Sequence, residues 1–265
     1  MKKVVVFAGH DHDTWEKLGA KGIKTDLEKD GVYEEFDTNF IIAKGTVERL
    51  RKAKGLTVLF PQENGRKMTL KQRVDYANDN DVNLIVDIHS NASASRTATG
   101  AAAFYWHDSE AGKKLAGYYA SLLKMHGFPT WQGGTYASNL KDGWSGFYML
   151  RYSKMPAILT ENFFFTTRGE LDKYLLNPKN QEKLMKVHLD MVTQYFSLKV
   201  EKPQVVKKIP KPLKAVKNPL TSNMPIYRVS VDGKQVNAHS QLSNIISEVE
   251  KAVEAEKKSI SVVKI

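Results

Sequence analysis

Residues 82–92, Val-Asn-Leu-Ile-Val-Asp-Ile-His-Ser-Asn-Ala, contain the stretch that decides the fold. Its first seven residues are almost wholly apolar, a pattern typical of a strand that is covered on both faces. The polar residues His89, Ser90 and Asn91 follow at once. Because binding sites in open α/β sheets lie just past the carboxyl ends of strands, this junction is the first place to look for chemistry.

The segments around this strand alternate between strand-like and helix-like patterns. We predict strands at residues 3–8, 56–60, 82–88, 100–106, 148–151 and 157–160, and helices at 34–53, 69–78, 109–126 and 181–196. Such alternation is typical of the α/β class. We therefore expect residues 1–197 to form an α/β domain with a central, mostly parallel or mixed sheet and helices on both faces.

Two further segments follow this domain. Residues 198–222 hold four of the nine prolines and seven Lys against one Glu, which predicts a semi-extended Lys/Pro-rich linker. In residues 223–265, strand patterns at 226–231, 235–238 and 260–265 flank a helical pattern at 242–256. We expect a small α+β module of β-β-α-β order.

The positive charge is concentrated in the linker. The net charge of the chain is +11, of which residues 1–197 carry +4 and residues 198–222 carry +6. A basic linker can hold a protein near an anionic surface, or it can be a solvated spacer, and composition alone favours the spacer. Nucleic-acid binding has little support, because no basic stripe is interleaved with aromatic residues.

Composition excludes several classes of protein and site. No run of eighteen apolar residues is present, so we expect no membrane insertion. The absence of cysteine excludes disulfides and thiolate zinc sites, which leaves His, Asp and Glu as the strong metal ligands. The apolar stretch after Met1 is too short for a signal peptide, so we expect synthesis in a bacterial host cytoplasm.

Three polar side chains follow predicted strands, namely His10, His89 and Glu161, and Glu35 opens the first long helix. Two histidines and a carboxylate can hold a catalytic zinc ion, and a second carboxylate nearby can accept a proton from water. Each residue also has a simpler explanation, because strand-end histidines commonly form loop hydrogen bonds and first-turn glutamates favour the helix dipole. Glu161 is harder to dismiss, since a carboxylate inside an apolar stretch needs a partner or a metal.

Several motifs together resemble those of the zinc-dependent N-acetylmuramoyl-L-alanine amidases of the amidase-3 type. The resemblance covers roughly residues 1–197 and rests on the motifs at residues 4–10, 35–40, 73–78, 84–92, 149–151 and 156–161, which occur in the family's order. It implies one zinc ion held by His10, Glu35 and His89, with Glu161 as the catalytic carboxylate. It also implies that zinc-activated water cleaves the amide between N-acetylmuramic acid and the L-alanine of the peptide stem in bacterial peptidoglycan.

The sequence departs from the family around two of these residues. Asp11-His12-Asp13 follows the first histidine where the family usually has two glycines, so His12 is a rival to His10. Glu34 is a rival to Glu35, because the family's spacings fit either position. Asn91 and Trp144 are candidate substrate-binding residues, and His107, His126 and His188 are expected to be structural.

For the whole chain we expect a phage endolysin, a bacteriolytic and antimicrobial enzyme that acts on the cell wall after its release. Residues 223–265 would be a cell-wall-binding module that is similar to the SPOR type, or an element for packing or self-association. Two alternatives remain, a zinc peptidase that cuts within the stem peptide and a non-catalytic cell-wall-binding protein.

Overall fold

The computed structural model describes residues 1–11, 24–26, 32–199, 227–231, 234–239 and 260–264. The chain forms two compact units, Met1–Val205 and Val206–Ile265. Within the described ranges, none of the helices is both long and apolar enough to span a bilayer. The boundaries that the sequence predicts for the linker, at residues 198 and 222, stay predictions.

The first unit is built on a six-stranded mixed sheet with helices on both faces, which confirms the predicted fold class. Its order is β4-β1-β5-β8-β6-β7, and a separate hairpin pairs β2 with β3. The strands are β1 Lys2–Ala8, β2 Lys24–Asp26, β3 Val32–Glu34, β4 Leu56–Leu59, β5 Leu84–Asn91, β6 Ala101–Trp106, β7 Thr130–Ser138 and β8 Ala157–Phe164. The first four strands in this order are parallel, and β6 is antiparallel to β8. The carboxyl ends of β1, β5 and β8 therefore meet at one edge.

Helices lie between these strands and after β8 along the chain. They are α1 Glu35–Leu50, α2 Leu70–Asp79, α3 Glu110–Met125, the short α4 Tyr148–Tyr152, the single turn α5 Arg168–Glu170, which continues into a π-helical turn at Leu171–Leu175, and α6 Pro178–Tyr195. Their starts have physical causes: Thr69 and Gln72 form a capping box before α2, and Ser109 and Asn177 cap α3 and α6.

The sheet separates two apolar cores, one on each of its faces. Along β1, Val4 and Val6 pack on the side of α1, α3 and α6, whereas Val5 and Phe7 pack on the side of α2 and α4. This alternation follows from the two-residue repeat of a strand. Both faces of the central strands are covered, which explains why Leu84, Ile85, Val86 and Ile88 in β5 are all apolar.

One predicted element has the wrong type. The sequence predicted a strand at residues 148–151, but Tyr148–Tyr152 is a helical turn in which the carbonyl of Phe147 accepts hydrogen bonds from Leu150 and Arg151. Met149 and Leu150 are buried in the core beside α2. A short apolar run fits a helical turn as well as a strand, so its period cannot decide between them.

The second unit contains a three-stranded antiparallel sheet in the order β10-β9-β11. Its strands are β9 Tyr227–Val231, β10 Lys234–His239 and β11 Ile260–Lys264, close to the three predicted ones. The predicted helix at residues 242–256 lies outside the described residues.

Candidate metal centre and active site

Three side chains that the sequence singled out converge at the carboxyl edge of the sheet. His10 follows β1, Glu35 is the first residue of α1, and His89 lies near the end of β5. One potential ligand atom from each lies within 4.8 Å of those of the other two. His10 Nε2 is 3.2 Å from Glu35 Oε2, and His89 Nδ1 is 3.3 Å from Glu35 Oε1. The carboxylate therefore lies between the two imidazoles.

Glu35 is buried and held in place by neighbours on two elements. Its Oε1 accepts hydrogen bonds from Asn39 Nδ2 at 2.9 Å, one turn along α1, and from the backbone N–H of Ser90 at 3.0 Å. Ser90 Oγ in turn donates to Asn39 Oδ1. Burial acts to raise the pKa of Glu35, but His10 and His89 outweigh it and lower that pKa, so the carboxylate is ionised.

The backbone at Gly9 is shaped around this group. A Cβ atom at Gly9 would overlap the imidazole ring of His89 at Nδ1, Cε1 and Cγ. His10, the next residue, adopts a left-handed φ of 63°, which is uncommon outside glycine. Glycine at position 9 thus permits the close approach of β1 to His89.

The donor set fits a zinc ion. Two imidazole nitrogens and one carboxylate form a recognised arrangement of three protein ligands that leaves a fourth position open. All three side chains line a cleft of about 350 Å³, so the group is accessible from one side. Among the described residues, His10, Glu35 and His89 are the His, Asp and Glu side chains whose ligand atoms lie close enough together to hold one metal ion. Glu34 is not part of this group. His12 lies outside the described residues.

Glu161 lies beside this group on the next strand. It is the register partner of His89 between β5 and β8, and its side chain lines the same cleft. It is 8% exposed, and its Oε2 has no hydrogen-bond partner among the described residues. Burial is the largest cause that raises the pKa of Glu161 above its ordinary range; His89 acts to lower it, whereas Glu35 and Asp87 raise it further. A buried carboxyl with a raised pKa is suited to exchange protons near neutral pH.

The cleft is lined by both polar and apolar side chains. Asn91 and Trp144, the two candidate substrate-binding residues, both line it, and its apolar residues include Leu70, Phe147 and Tyr148. Trp144 is 51% exposed. This arrangement offers an apolar surface beside the metal-binding group, where a ring or an alkyl chain of a ligand can pack.

A short loop fixes the position of Trp144. Asp142 accepts hydrogen bonds from the backbone N–H groups of Trp144 and Ser145 and from the hydroxyl groups of Ser145 and Tyr136. Burial acts to raise the pKa of Asp142, but these hydrogen bonds lower it to about 2. The indole ring packs 4.9 Å from the ring of Tyr136, centroid to centroid. Tyr136 and Trp131 themselves pack against Phe104 and do not line the cleft.

The three histidines that the sequence placed outside the site also lie outside the cleft, namely His107, His126 and His188. His188 is fully buried, with Nε2 2.9 Å from Thr160 Oγ1 and Nδ1 2.7 Å from the carbonyl oxygen of Leu184. These contacts fit a neutral imidazole that packs between α6 and β8.

Sequence reasoning assigned no role to four polar residues that surround the group, namely Asn39, Arg73, Asp87 and Ser90. Asp87 is the clearest omission, because its Oδ2 lies 3.3 Å from His89 Nε2. The available signal was its spacing: a residue two positions before His89 on a strand lies on the same face of the sheet. A buried charge inside an apolar strand also calls for a partner.

Comparisons with known proteins show which family the chain is similar to. A family model described as Amidase_3, N-acetylmuramoyl-L-alanine amidase, matches residues 4–194. The catalytic domain of CwlV, an N-acetylmuramoyl-L-alanine amidase from Bacillus (Paenibacillus) polymyxa var. colistinus, is similar with a TM-score of 0.62 and 26% identity, over 75% of this chain and 100% of that one. An N-acetylmuramoyl-L-alanine amidase from Clostridium difficile 630 has a TM-score of 0.62 and 29% identity, over 74% and 97% of the two chains.

A curated relative carries the same description. The N-acetylmuramoyl-L-alanine amidase LytC of Bacillus subtilis is 27% identical over 163 residues, which are 61% of this chain and 31% of LytC. The family model spans nearly the whole first unit and includes all four residues of the candidate site. The chain therefore belongs to the N-acetylmuramoyl-L-alanine amidase family, Amidase_3, and its activity is that of an amidase acting on peptidoglycan.

Proposed function

We propose that this protein hydrolyses the amide bond between the lactyl group of N-acetylmuramic acid and the L-alanine of the peptide stem, with one zinc ion held by His10, Glu35 and His89. The observation that carries the proposal is the buried His-Glu-His group with Glu161 beside it in one cleft. The names of the similar amidases support the choice of bond.

The zinc ion would supply a Lewis acid that acidifies water and polarises the amide carbonyl. The negative charge of Glu35 would offset part of the positive charge of the metal ion. Asn39 and Ser90 donate hydrogen bonds to Glu35 Oε1 and thereby fix the orientation of the carboxylate. His10 and His89 each approach a different oxygen of this carboxylate.

Glu161 would move the proton in this reaction. A water molecule attacks the carbonyl carbon, Glu161 takes a proton from the water, and the C–N bond breaks as Glu161 returns the proton to the leaving amine. The products are a lactyl carboxylate on the sugar and a free amino group on L-alanine. The free Oε2 and the raised pKa of Glu161 support this role.

The role in a phage lytic cycle is a further part of the proposal. An endolysin made in a host cytoplasm would reach the wall on lysis, and the amidase family of the chain supports this role. The basic stretch at residues 198–222 supports a tether to the anionic wall. Residues 223–265 would then bind the wall; nothing in their described strands supports self-association through this module.

A metal-dependent amine-release assay tests the proposal. The protein is stripped with a chelator, reloaded with Zn²⁺, and incubated with a muramoyl-L-alanyl peptide while an amine-reactive dye records new amino groups. We expect release by the zinc-loaded protein and almost none by the stripped protein. Equal release by both preparations would overturn the metal assignment, and no release by either would overturn the proposed substrate.

A further inference from the structure

Arg73 and Asp87 form a buried charged pair next to the metal-binding group, in contact with His10 and His89. Arg73, on α2, is 1% exposed, and Asp87, on β5, is fully buried. Arg73 Nη1 lies 3.7 Å from Asp87 Oδ1, within ion-pair distance but beyond a good hydrogen bond. Both charges are isolated from water, so each must be compensated inside the protein.

The guanidinium group fixes the backbone that leads to His10. Arg73 Nη1 donates to the carbonyl oxygen of Ala8 at 2.7 Å, Nη2 donates to that of His10 at 2.6 Å, and Nε donates to that of Met68 at 3.1 Å. The contact with His10 is informative, because this residue holds an unfavourable left-handed φ of 63°. Arg73 therefore ties down the turn that presents the His10 imidazole.

The carboxylate faces the other histidine. Asp87 Oδ2 is 3.3 Å from His89 Nε2, and neither oxygen of Asp87 has a directed hydrogen bond from another described residue. The contact is an electrostatic one in this geometry. A carboxylate oxygen lies 3.3 Å from each ring nitrogen of His89, Asp87 beside Nε2 and Glu35 beside Nδ1. With a metal ion held by Glu35 and Nδ1, the Asp87 anion would favour the imidazole tautomer with its proton on Nε2.

We propose that Arg73 and Asp87 are positioning residues that set the two histidines for metal binding, Asp87 by fixing the tautomer of His89 and Arg73 by fixing the backbone of His10. The pair thus joins α2 and β5 to both imidazoles of one site. The inference rests on the proposed zinc site and goes beyond it, because it assigns the ligand atom of His89 and the groups that select it.

The first test uses the unaltered protein loaded with Zn²⁺. Nitrogen-15 NMR of the histidine rings distinguishes protonated from metal-bound nitrogens, and through-bond correlation from the ring to the backbone of His89 assigns its signals. We expect a proton on Nε2 and metal on Nδ1. A proton on Nδ1 with metal on Nε2 would overturn the proposal.

The second test measures Zn²⁺ affinity by competition with a chromophoric chelator. We expect Asp87→Asn to bind Zn²⁺ about 10–100-fold more weakly, as for other partners of metal-binding histidines. Arg73→Lys, which keeps the charge but not the forked contacts, should also bind more weakly. The matched control is Asp75→Asn, which removes a half-exposed carboxylate on α2 that pairs with Lys71 and should leave the affinity unchanged.

The outcomes separate this proposal from the proposed function. Unaltered zinc affinity in both Asp87→Asn and Arg73→Lys would overturn the positioning role while amidase activity remained. Weaker binding in both variants, together with no amine release by the zinc-loaded unaltered protein, would support the positioning role and reject the amidase mechanism. Failure of the unaltered protein to bind Zn²⁺ would reject both.

Discussion

Glu161 is the residue on which turnover depends in this account. It is buried beside His89, and its Oε2 is free of hydrogen bonds from the described residues. Glu161→Gln keeps the shape of the side chain but cannot accept a proton. We expect kcat to fall about 10²–10⁴-fold with zinc affinity retained, measured by amine release and chelator competition.

Two further variants are controls for that result, one expected to keep activity and one expected to lose it. Glu110→Gln changes an exposed glutamate in the first turn of α3 and should keep full activity. His89→Ala should lose both zinc and activity. Full activity in Glu161→Gln would rule out the proposed proton transfer.

Gly9 is the second residue at which substitution is expected to have a clear effect. Gly9→Ala places a methyl group where the His89 ring lies, so we expect zinc affinity to fall at least about tenfold and the free energy of unfolding to fall by about 1–3 kcal/mol. Chelator competition and urea unfolding measure the two effects. Gly45→Ala is the control, because its methyl group meets the flexible end of Met185 and no ligand. Equal zinc affinity in the two variants would contradict the close approach.

From the sequence, four residues were candidates for the site, and their roles stay predictions. His10, Glu35, His89 and Glu161 were candidates from their strand-end or helix-start positions, and the structure brings all four to one cleft. The family's spacings fitted both Glu34 and Glu35, and the helical phase that continues through Ile42 and Ala43 favoured Glu35. The start of α1 separates them, because Glu34 ends β3 and Glu35 begins the helix that faces Ser90.

Among the elements, the loop that carries Trp144 is expected to contribute to substrate binding. Asp142 holds the loop, and the half-exposed indole forms part of the cleft wall. Trp144→Ala should raise KM about tenfold, equivalent to about 1.4 kcal/mol, with little change in kcat.

Steady-state kinetics on a soluble muropeptide provides the test. Leu140→Ala is a matched control, since Leu140 is similarly exposed, lies near Trp144 in sequence and does not line the cleft. An unchanged KM in Trp144→Ala would remove this residue from the binding surface.

The packing of α6 against β8 predicts a pH dependence of stability. Burial lowers the pKa of His188 to about 4, whereas the unfolded chain has the ordinary value of about 6.5. The unfolded state therefore binds more protons between these values, so this contribution is complete above pH 6.5 and is lost as pH falls toward 4. The difference corresponds to about 3 kcal/mol.

Urea unfolding of the unaltered protein and of His188→Gln, from pH 7 to pH 4, measures the contribution of His188 to the free energy of unfolding. We expect the unaltered protein to lose about 3 kcal/mol more than the variant over that range. Parallel curves for the two proteins would show that His188 does not titrate as its burial predicts.

Helices and strands were predicted correctly where the apolar residues followed one clear pattern. The apolar run of β5 and the helical spacing of α1 and α3 gave these elements within a few residues. Strand β7 was missed because Gly133 and Gly134, both with positive φ, interrupt its pattern, and the pairing with β6 shifts register there. The hairpin of β2 and β3 was missed because its strands have three residues each.

For the whole molecule, the two units are expected to have separable roles. The chain of the CwlV catalytic domain is matched over its full length by part of this protein, which supports an independent first unit. Truncation after Val205 should keep activity on soluble fragments and weaken binding to intact cell walls, measured by amine release and by sedimentation with purified walls. Equal sedimentation of both forms would reject the targeting role of residues 223–265.

Mass spectrometry of purified peptidoglycan digested by the zinc-loaded protein identifies the bond that the protein cuts. We predict stem peptides with a free L-alanine amino group and intact glycan strands. Cleavage between stem residues would instead show a peptidase on this fold, and binding without any new terminus would contradict the catalytic account.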